Sequence, residues 1–578
     1  SNANGTTEAT FGGGFYLTRT AADLYNCLLV FNDTANRLQP KVGTGAAIYI
    51  YSNPSSLTMR NCTVAFNNGS HAFYLRQGTG TFHDSIFVSP EGNFLKWQGN
   101  FNLYNSVCSE TANATASDCT VGDPLFAHDF YLDAASPAID KGSANAADTC
   151  LATWTTQTDG ALDTGKVDAG YHHGAASTGW GGELYVSPSG NDGNPGTQAQ
   201  PLRSVTKAAS LAQDGSTIHV AAGTYDRASA GELFPLMLTN RYDFAIVGAD
   251  AGTTVLDNKG EQGKSLMIID SCNDLSFSGL TFTGGCYSNA TTRQAGGVEI
   301  RRSTSVTMDA CAVSGNTVLF LNGNANIGPG GMRIERSSGV LVTSCTVSGN
   351  AISNTLSASY TDNAEGGGLW LCGGFVDVVN TRIQNNAVQA RGTAYGGGIY
   401  TEGGASYTAG FYLRNCLIAD NFVGGLYGTL HESGGGVHGQ SGDITFDQCT
   451  IATNTHSGIS TWNGAHVLNN CIVHGNGDDL YGRSVYTVKL VNVLLASGEV
   501  DFLATSTDVS HGDPRFKDAA QENFHLRSDS PAKDAGAVLG WMDAAAVDLD
   551  GLSRIYNGLP DLGCYELQKE LCTLIVVH

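Results

Sequence analysis

Two short phrases recur in step along the chain. The first opens on glycines and runs into alternating apolar and polar residues: Gly296-Gly-Val-Glu-Ile-Arg301, Gly330-Gly-Met-Arg-Ile-Glu335, Gly367-Gly-Leu-Trp-Leu-Cys372, Gly397-Gly-Ile-Tyr-Thr-Glu402 and Gly435-Gly-Val-His-Gly-Gln440. Gly458-Ile-Ser-Thr-Trp462 continues it with a single glycine. The second phrase ends on asparagine, as in Asp309-Ala-Cys-Ala-Val-Ser-Gly-Asn316, Asn415-Cys-Leu-Ile-Ala-Asp-Asn421 and Asn470-Cys-Ile-Val-His-Gly-Asn476. Alternation with period two predicts strands, with Asn and Gly at the corners, and helical periodicity is nearly absent. From Cys311 the second phrase returns after 34, 36, 35 and 33 residues, and after 22 at Cys471. One coil of constant size, carrying insertions at a single corner, accounts for that spacing. The insertions are 317–327, 351–363, 387–395 and 422–432. They are expected to gather as loops on one side of a solenoid, where binding sites often lie.

The same alternation predicts which way each side chain faces. Val298, Met332, Leu369, Ile399, Val437 and Ile459 share an inward register, with Ile300, Ile334, Leu371 and Thr401 two places on. Two outward files remain. One is Glu299, Arg333, Trp370, Tyr400, His438 and Ser460; the other is Arg301, Glu335, Cys372, Glu402, Gln440 and Trp462. Coils about 4.8 Å apart would hold these side chains in parallel rows on an exposed face. Nearer the N-terminus, Tyr16, Tyr49 and Tyr74 form an outward file beside Thr18, Tyr51 and Arg76, with Phe15, Ile48 and Phe73 inside. One stretch reads as helix: Ser204 to Ala212, with Val205, Ala208, Ala209 and Leu211 on one face. It suits the cap that the open apolar end of a coil stack requires.

Composition narrows the partners. Glycine, at 74 of 578 residues, follows no collagen period and marks turns. A net charge of −23 excludes nucleic acid and anionic membranes, both of which require a basic face. No run of about 20 apolar residues exists to span a bilayer. Seven cysteines recur at one place in the second phrase, Cys27, Cys62, Cys311, Cys345, Cys416, Cys449 and Cys471, and are expected to be free inward thiols. The others allow disulfides such as Cys272 with Cys286, and no pair has zinc spacing. Ser1-Asn-Ala3 looks like a tag-cleavage scar, so a signal peptide would not be visible.

The stretch from Leu184 to Tyr225, with Tyr185-Val-Ser-Pro-Ser-Gly-Asn-Asp-Gly-Asn-Pro-Gly196, resembles the opening cassette of bacterial right-handed parallel β-helix proteins of the pectin-lyase-like superfamily. The paired phrases also look like the repeats of large surface-exposed β-helix proteins, including the chlamydial polymorphic outer-membrane family. Two closing cassettes fit the same group, Gly122-Asp-Pro-Leu-Phe126 with Ser136-Pro-Ala-Ile-Asp140, and Gly512-Asp-Pro-Arg-Phe516 with Ser530-Pro-Ala-Lys-Asp534. Their order implies an all-β chain of tandem right-handed parallel β-helices, the second with an N-terminal capping helix. The expected organisation is the C-terminal part of a first β-helix at 1–174, a joint at 175–183, a complete second β-helix at 184–567, and an unassigned tail at 568–578. The first lacks an opening cassette, so the chain is expected to belong to a longer multi-domain array.

The resemblance specifies the fold and says little about chemistry. Aromatic and hydrogen-bonding groups on a long face suit a polysaccharide, with Glu299, Trp370, Tyr400, Trp462, Tyr49 and Tyr74 as binding candidates; stacked aromatics also stabilise a sheet without binding anything. For a lyase, Arg301 and Arg333 are the base candidates, although Glu299 and Glu335 beside them suggest an ion-pair ladder. For a hydrolase, Glu335 and Glu402 lie two coils apart in one file, near the upper end of the inverting range of about 6.5–9.5 Å. His438 is the histidine on the displayed face; His172, His173 and His431 lack partners at metal spacing. The polygalacturonase-like set is missing, and so is any row of aspartates for a pectate-lyase calcium site. Asn191-Asp-Gly-Asn194 and Asp548-Leu-Asp-Gly551 are the stretches able to ligate calcium, turn formation being the commoner role. No other cofactor is implied. The expectation is a secreted or cell-surface protein engaging a polysaccharide or cell-surface glycan, as a lyase or hydrolase or, alternatively, as a non-catalytic adhesin or stalk.

Overall fold

The computed structural model describes residues 14–30, 47–52, 55–67, 71–89, 93–96, 98–126, 130–157, 161–174, 182–288, 293–319, 328–353, 363–390, 392–403, 409–425, 432–482, 488–496, 504–543 and 545–568. The chain divides into two compact units, Ser1–Gly182 and Glu183–His578. Each contains a parallel β-helix: strands of successive coils pair in parallel, and the chain passes round several faces before returning one level on.

In the first unit three parallel sheets form the faces. Phe15–Thr18, Ile48–Ser52, Phe73–Leu75 and Phe94–Lys96 pair in that order. Rings of Phe73, Phe82, Phe87, Phe94 and Phe101 fill the interior. Ile48 and Phe73 are buried as expected, whereas Phe15 is 43% exposed, because its strand lies at the end of the sheet. The closing cassette folds back along the third face, where Leu132, Ala138 and Ala169 cover Ile86 and Val107. The second unit repeats the device. There Leu526, Ala532 and Leu562 cover Ile472 and Leu494. The two cassettes share their hydrogen bonds: the Asp140 N–H donates to Asp168 at 2.7 Å, and the Asp534 N–H to Asp561 at 2.6 Å.

Each corner of the second phrase turns on one residue in the left-handed region, among them Ala310, Ser344, Asn380, Asn415, Gln448 and Asn470, with φ between 47° and 55°. Asparagine tolerates that region better than most residues, which explains its frequency there. The following cysteine points inward, and its thiol donates to the carbonyl two residues back, as in Cys345 to Thr343 at 3.0 Å. Cys272 and Cys286, offered as a disulfide pair, are both free.

The asparagine that ends the phrase does more. Asn316, Asn350, Asn386, Asn421, Asn454 and Asn476 form a ladder, each amide donating to the next side-chain oxygen at 2.9–3.0 Å. Each of these oxygens also accepts the preceding asparagine's backbone N–H at 3.0–3.1 Å. The glycine phrase packs against this ladder. A Cβ on Gly368 would lie 2.9 Å from the Asn386 amide and 2.7 Å from the Gly398 carbonyl, and one on Gly398 would meet Asn421 at the same 2.9 Å. The two phrases keep step because they interlock within every coil.

At the N-terminal end of the second unit, Val205–Leu211 forms the capping helix. Val205, Ala208, Ala209 and Ala212 are buried, following i, i+3, i+4, i+7, and Leu211 points to solvent instead. Asp192 accepts from the N–H groups of Arg203 and Ser204 at 2.9 Å and from the Ser204 hydroxyl at 2.8 Å. Asp548 likewise accepts from the N–H groups of Asp550, Leu552 and Glu566 at 2.8–3.0 Å. Both stretches offered for calcium therefore use these carboxylates on the chain's own turns.

The interlock is testable by substitution. Gly368→Ala and Asn386→Ala should each destabilise the second unit by about 1–3 kcal/mol, through overpacking and stranded buried amides respectively. Gly540→Ala, where an added Cβ meets nothing within 4 Å, should leave the chemical-denaturation midpoint unchanged.

Candidate functional site

The register of the glycine phrase is as the alternation predicts. Glu299 pairs with Arg333, Arg333 with Trp370, Trp370 with Tyr400, Tyr400 with His438 and His438 with Ser460. Beside it, Arg301 pairs with Glu335, Glu335 with Cys372 and Cys372 with Glu402. The inward residues Val298, Met332, Leu369, Ile399, Val437 and Ile459 lie in the main core.

The first file nevertheless does not face solvent. Glu299, Trp370 and His438 are fully buried and Tyr400 is 3% exposed. The reason is that the insertions are not simply loops. Cys286–Tyr287, Thr317–Leu319, Ala351–Ser353, Ala387–Ala390 and Phe422–Gly425 pair as a further parallel sheet. Asn363–Glu365, Thr393–Tyr395 and Glu432–Ser433 pair as another. The latter carries Glu365, Tyr395 and Ser433 in one register, directly before the glycine phrase. Tyr395 stacks on His438 at 4.4 Å, Ser433 meets the His438 Nδ1 at 3.0 Å, and Trp370, Tyr395 and Tyr400 form one apolar cluster.

His438 is thereby held as a neutral imidazole. Burial pushes its pKa down to about 3, and Gln440 on Nε2 at 3.3 Å only partly opposes this. Trp370 lies between two guanidinium groups, those of Arg293 and Arg333, each 4.9 Å from its ring. Among the described residues its indole N–H has no hydrogen-bond partner. Arg301 and Arg333, the base candidates, are occupied: Arg301 pairs with Asp270 at 2.9 Å and Glu299 at 3.4 Å, and Arg333 with Glu299 and Glu335 at 2.9 Å each.

The second file does reach the surface. The side chains of Arg301, Glu335 and Glu402 are 24%, 20% and 33% exposed, and Cys372, Gln440 and Trp462 are half-buried. Trp462 lies against His438 at 5.6 Å and Tyr395 at 5.5 Å, both edge-on. Glu335 and Glu402 are two coils apart and answer different arginines, Glu402 pairing with Arg293 at 3.3 Å.

Two residues that join this arrangement escape the repeat pattern. Glu365 is buried, and its second oxygen lies 3.9 Å from the same Arg293 nitrogen that holds Glu402. Burial raises its pKa to about 7, with Arg293 pulling it back and Glu402 pushing it further up. Glu365 is marked in the sequence only by its place before Gly366, a place shared by Tyr395 and Ser433. Arg293 follows no repeat at all.

In the first unit Tyr49 is sandwiched between Tyr16, at 5.3 Å and 5°, and Tyr74, at 4.8 Å and 20°. Both faces of the Tyr49 ring are taken by neighbours, and the residue is 3% exposed. His172 is buried on Asp163 at 2.8 Å, and His173 stacks on Tyr131. His431 lies outside the described residues. Among the described residues no group of three or more His, Cys, Asp or Glu is placed to hold a metal ion.

Residues 188–461 match the family described as "Protein of unknown function (DUF1565)". Among solved structures, the chain is similar to pectate lyase Pel9A, at 14% identity over 67% of this chain and 96% of that one, with a TM-score of 0.44. It is also similar to a rhamnogalacturonan lyase, at 14% identity over 67% and 96%, with a TM-score of 0.28. A third is XylC in complex with xylose, at 9% identity over 67% and 99%, with a TM-score of 0.32. No curated protein matches the chain.

The buried carboxyl makes a pH prediction. Between pH 4.5, the ordinary value for a glutamate, and about 7, folded Glu365 holds a proton that the unfolded chain has released. Stability therefore falls as pH rises through that window. Thermal unfolding of the second unit from pH 4.5 to 8 should show a shallower fall in Glu365→Gln than in the wild type.

Proposed function

We propose that the protein is a secreted or surface-attached glycan-binding protein whose second unit engages a polysaccharide along the file Arg301, Glu335, Cys372, Glu402, Gln440 and Trp462. The observation that carries this reading is the split between the two files. One is sealed beneath an added sheet, while the other lines up hydrogen-bonding groups with an indole at one end, at the surface. Spaced at about 4.8 Å per coil, the row extends about 24 Å, long enough for several sugar rings. Arg, Glu and Gln meet hydroxyls, and Trp462 offers an apolar surface to a ring face.

Binding is favoured over catalysis because Arg301 and Arg333 are each shared between two carboxylates. Hydrolysis has one observation in its favour. Glu365, whose pKa is raised to about 7 by burial, and Glu402 share one guanidinium nitrogen, which brings their oxygens no further apart than the sum of 3.3 and 3.9 Å. Two carboxyl groups in unlike environments at that separation are what acid–base cleavage of a glycoside requires.

One panel of soluble polysaccharides addresses both. Affinity electrophoresis should show retardation by at least one polymer, weakened up to about tenfold in Trp462→Ala by the loss of one stacking ring. Retardation unchanged in Trp462→Ala contradicts the site. New reducing ends that vanish in Glu365→Gln would establish the hydrolytic reading in place of simple binding.

A further inference from the structure

The arginines around the file are matched by carboxyl groups of the same chain. Arg293 pairs with Glu402 at 3.3 Å and approaches Glu365 at 3.9 Å. Arg301 bridges Asp270 and Glu299, and Arg333 bridges Glu299 and Glu335. Arg302 pairs with Asp270, its Nε donating at 2.9 Å, and Arg336 approaches Glu335 at 3.6 Å. Five guanidinium groups thus face five carboxyl groups in two ion-pair networks, one of Arg293 with Glu365 and Glu402, the other of Arg301, Arg302, Arg333 and Arg336 with Asp270, Glu299 and Glu335.

We infer that the polysaccharide taken by this file is uncharged, a class assignment that rests on the glycan-binding reading above. A uronic-acid polymer presents a carboxylate at each charged sugar. To bind here, each one must displace Glu299, Glu335 or Glu402 from its arginine, and the displaced side chain, partly or wholly enclosed, loses its partner. Breaking such a pair costs more than the exchange returns, because the released carboxylate stays desolvated. Glu299 is fully buried, so it has no solvent to turn to.

Two further features act in the same direction. The chain carries a net charge of −23, so a polyanion approaches against a long-range repulsion. Acidic polymers also bind acidic surfaces through a bridging divalent cation, and among the described residues no acidic cluster is placed to supply one. A neutral sugar meets none of these costs. Its hydroxyls donate to Glu335 and Glu402 and accept from Arg301 and Arg293 while the ion pairs stay closed, and Gln440 and Trp462 at the far end carry no charge at all.

The pairing makes a reversal possible. Glu402→Gln removes the closest partner of Arg293, a side chain 30% exposed, and leaves its guanidinium beside the file with the more distant, buried Glu365 at 3.9 Å. Affinity electrophoresis would compare mannan, mixed-linkage β-glucan and xyloglucan with polygalacturonate and alginate, using wild type and Glu402→Gln. Retardation of wild type by a neutral polymer and by neither uronate, with Glu402→Gln gaining a retardation by uronate that added salt abolishes, supports the inference. Wild type retarded by a uronate as strongly as by any neutral polymer overturns it, and so does a Glu402→Gln that stays indifferent to uronates. Retardation by no polymer of either class overturns the glycan-binding reading itself.

Discussion

The second unit depends on one constraint, that every backbone and side-chain amide at its asparagine corner finds a partner in the neighbouring coil. From Asn350 to Asn454 each asparagine gives two donors to the next and receives two through its single side-chain oxygen. An enclosed amide left without a partner costs about 1–3 kcal/mol, so a coil that slipped would strand several at once. The ladder thus sets the level of every coil. It also explains why glycine precedes each strand: the asparagine amide occupies the volume that a Cβ would need.

Because the ladder and the glycines sit at one corner, additional chain can leave and re-enter there without disturbing the core. The inserted segments use this freedom to build a second layer, and that layer determines which outward residues meet solvent. Trp370, Tyr400 and His438 point away from the core and still end up enclosed, beside Tyr395, Ser433 and Arg293, and Glu299 is enclosed where Arg301 and Arg333 pair with it. The neighbouring file, two residues further along each strand, is left at the edge of the layer. Placement of the candidate site follows from packing at the corner and not from the chemistry of the side chains themselves.

Period-two alternation made the register of both files legible, since a strand allows only two directions for a side chain, and the pairing from Glu299 to Ser460 agrees with it. Burial was not legible. The covering strands Asn-Ala-Glu365, Thr-Ala-Tyr395 and Glu-Ser433 are two or three residues long, too short to display a period. They lie in insertions whose lengths differ from coil to coil. Glu365 carried a usable sign, its fixed position before a left-handed glycine at Gly366, as Tyr395 has at Gly396 and Ser433 at Gly434. Arg293 had none, since it reaches its partners from a coil well before theirs. The helix shows the same limit at smaller scale: Leu211 is more apolar than Ala212, but helical spacing turns Ala212 to the core.

The added layer seals one file and leaves the other open, and the two tryptophans report on it separately. Oxidation of native protein by N-bromosuccinimide, read by peptide mass spectrometry, measures the reactivity of each indole. Modification is expected at Trp462 and not at Trp370 until the protein unfolds. Modification of Trp370 at a rate comparable to Trp462 in the folded protein would contradict it.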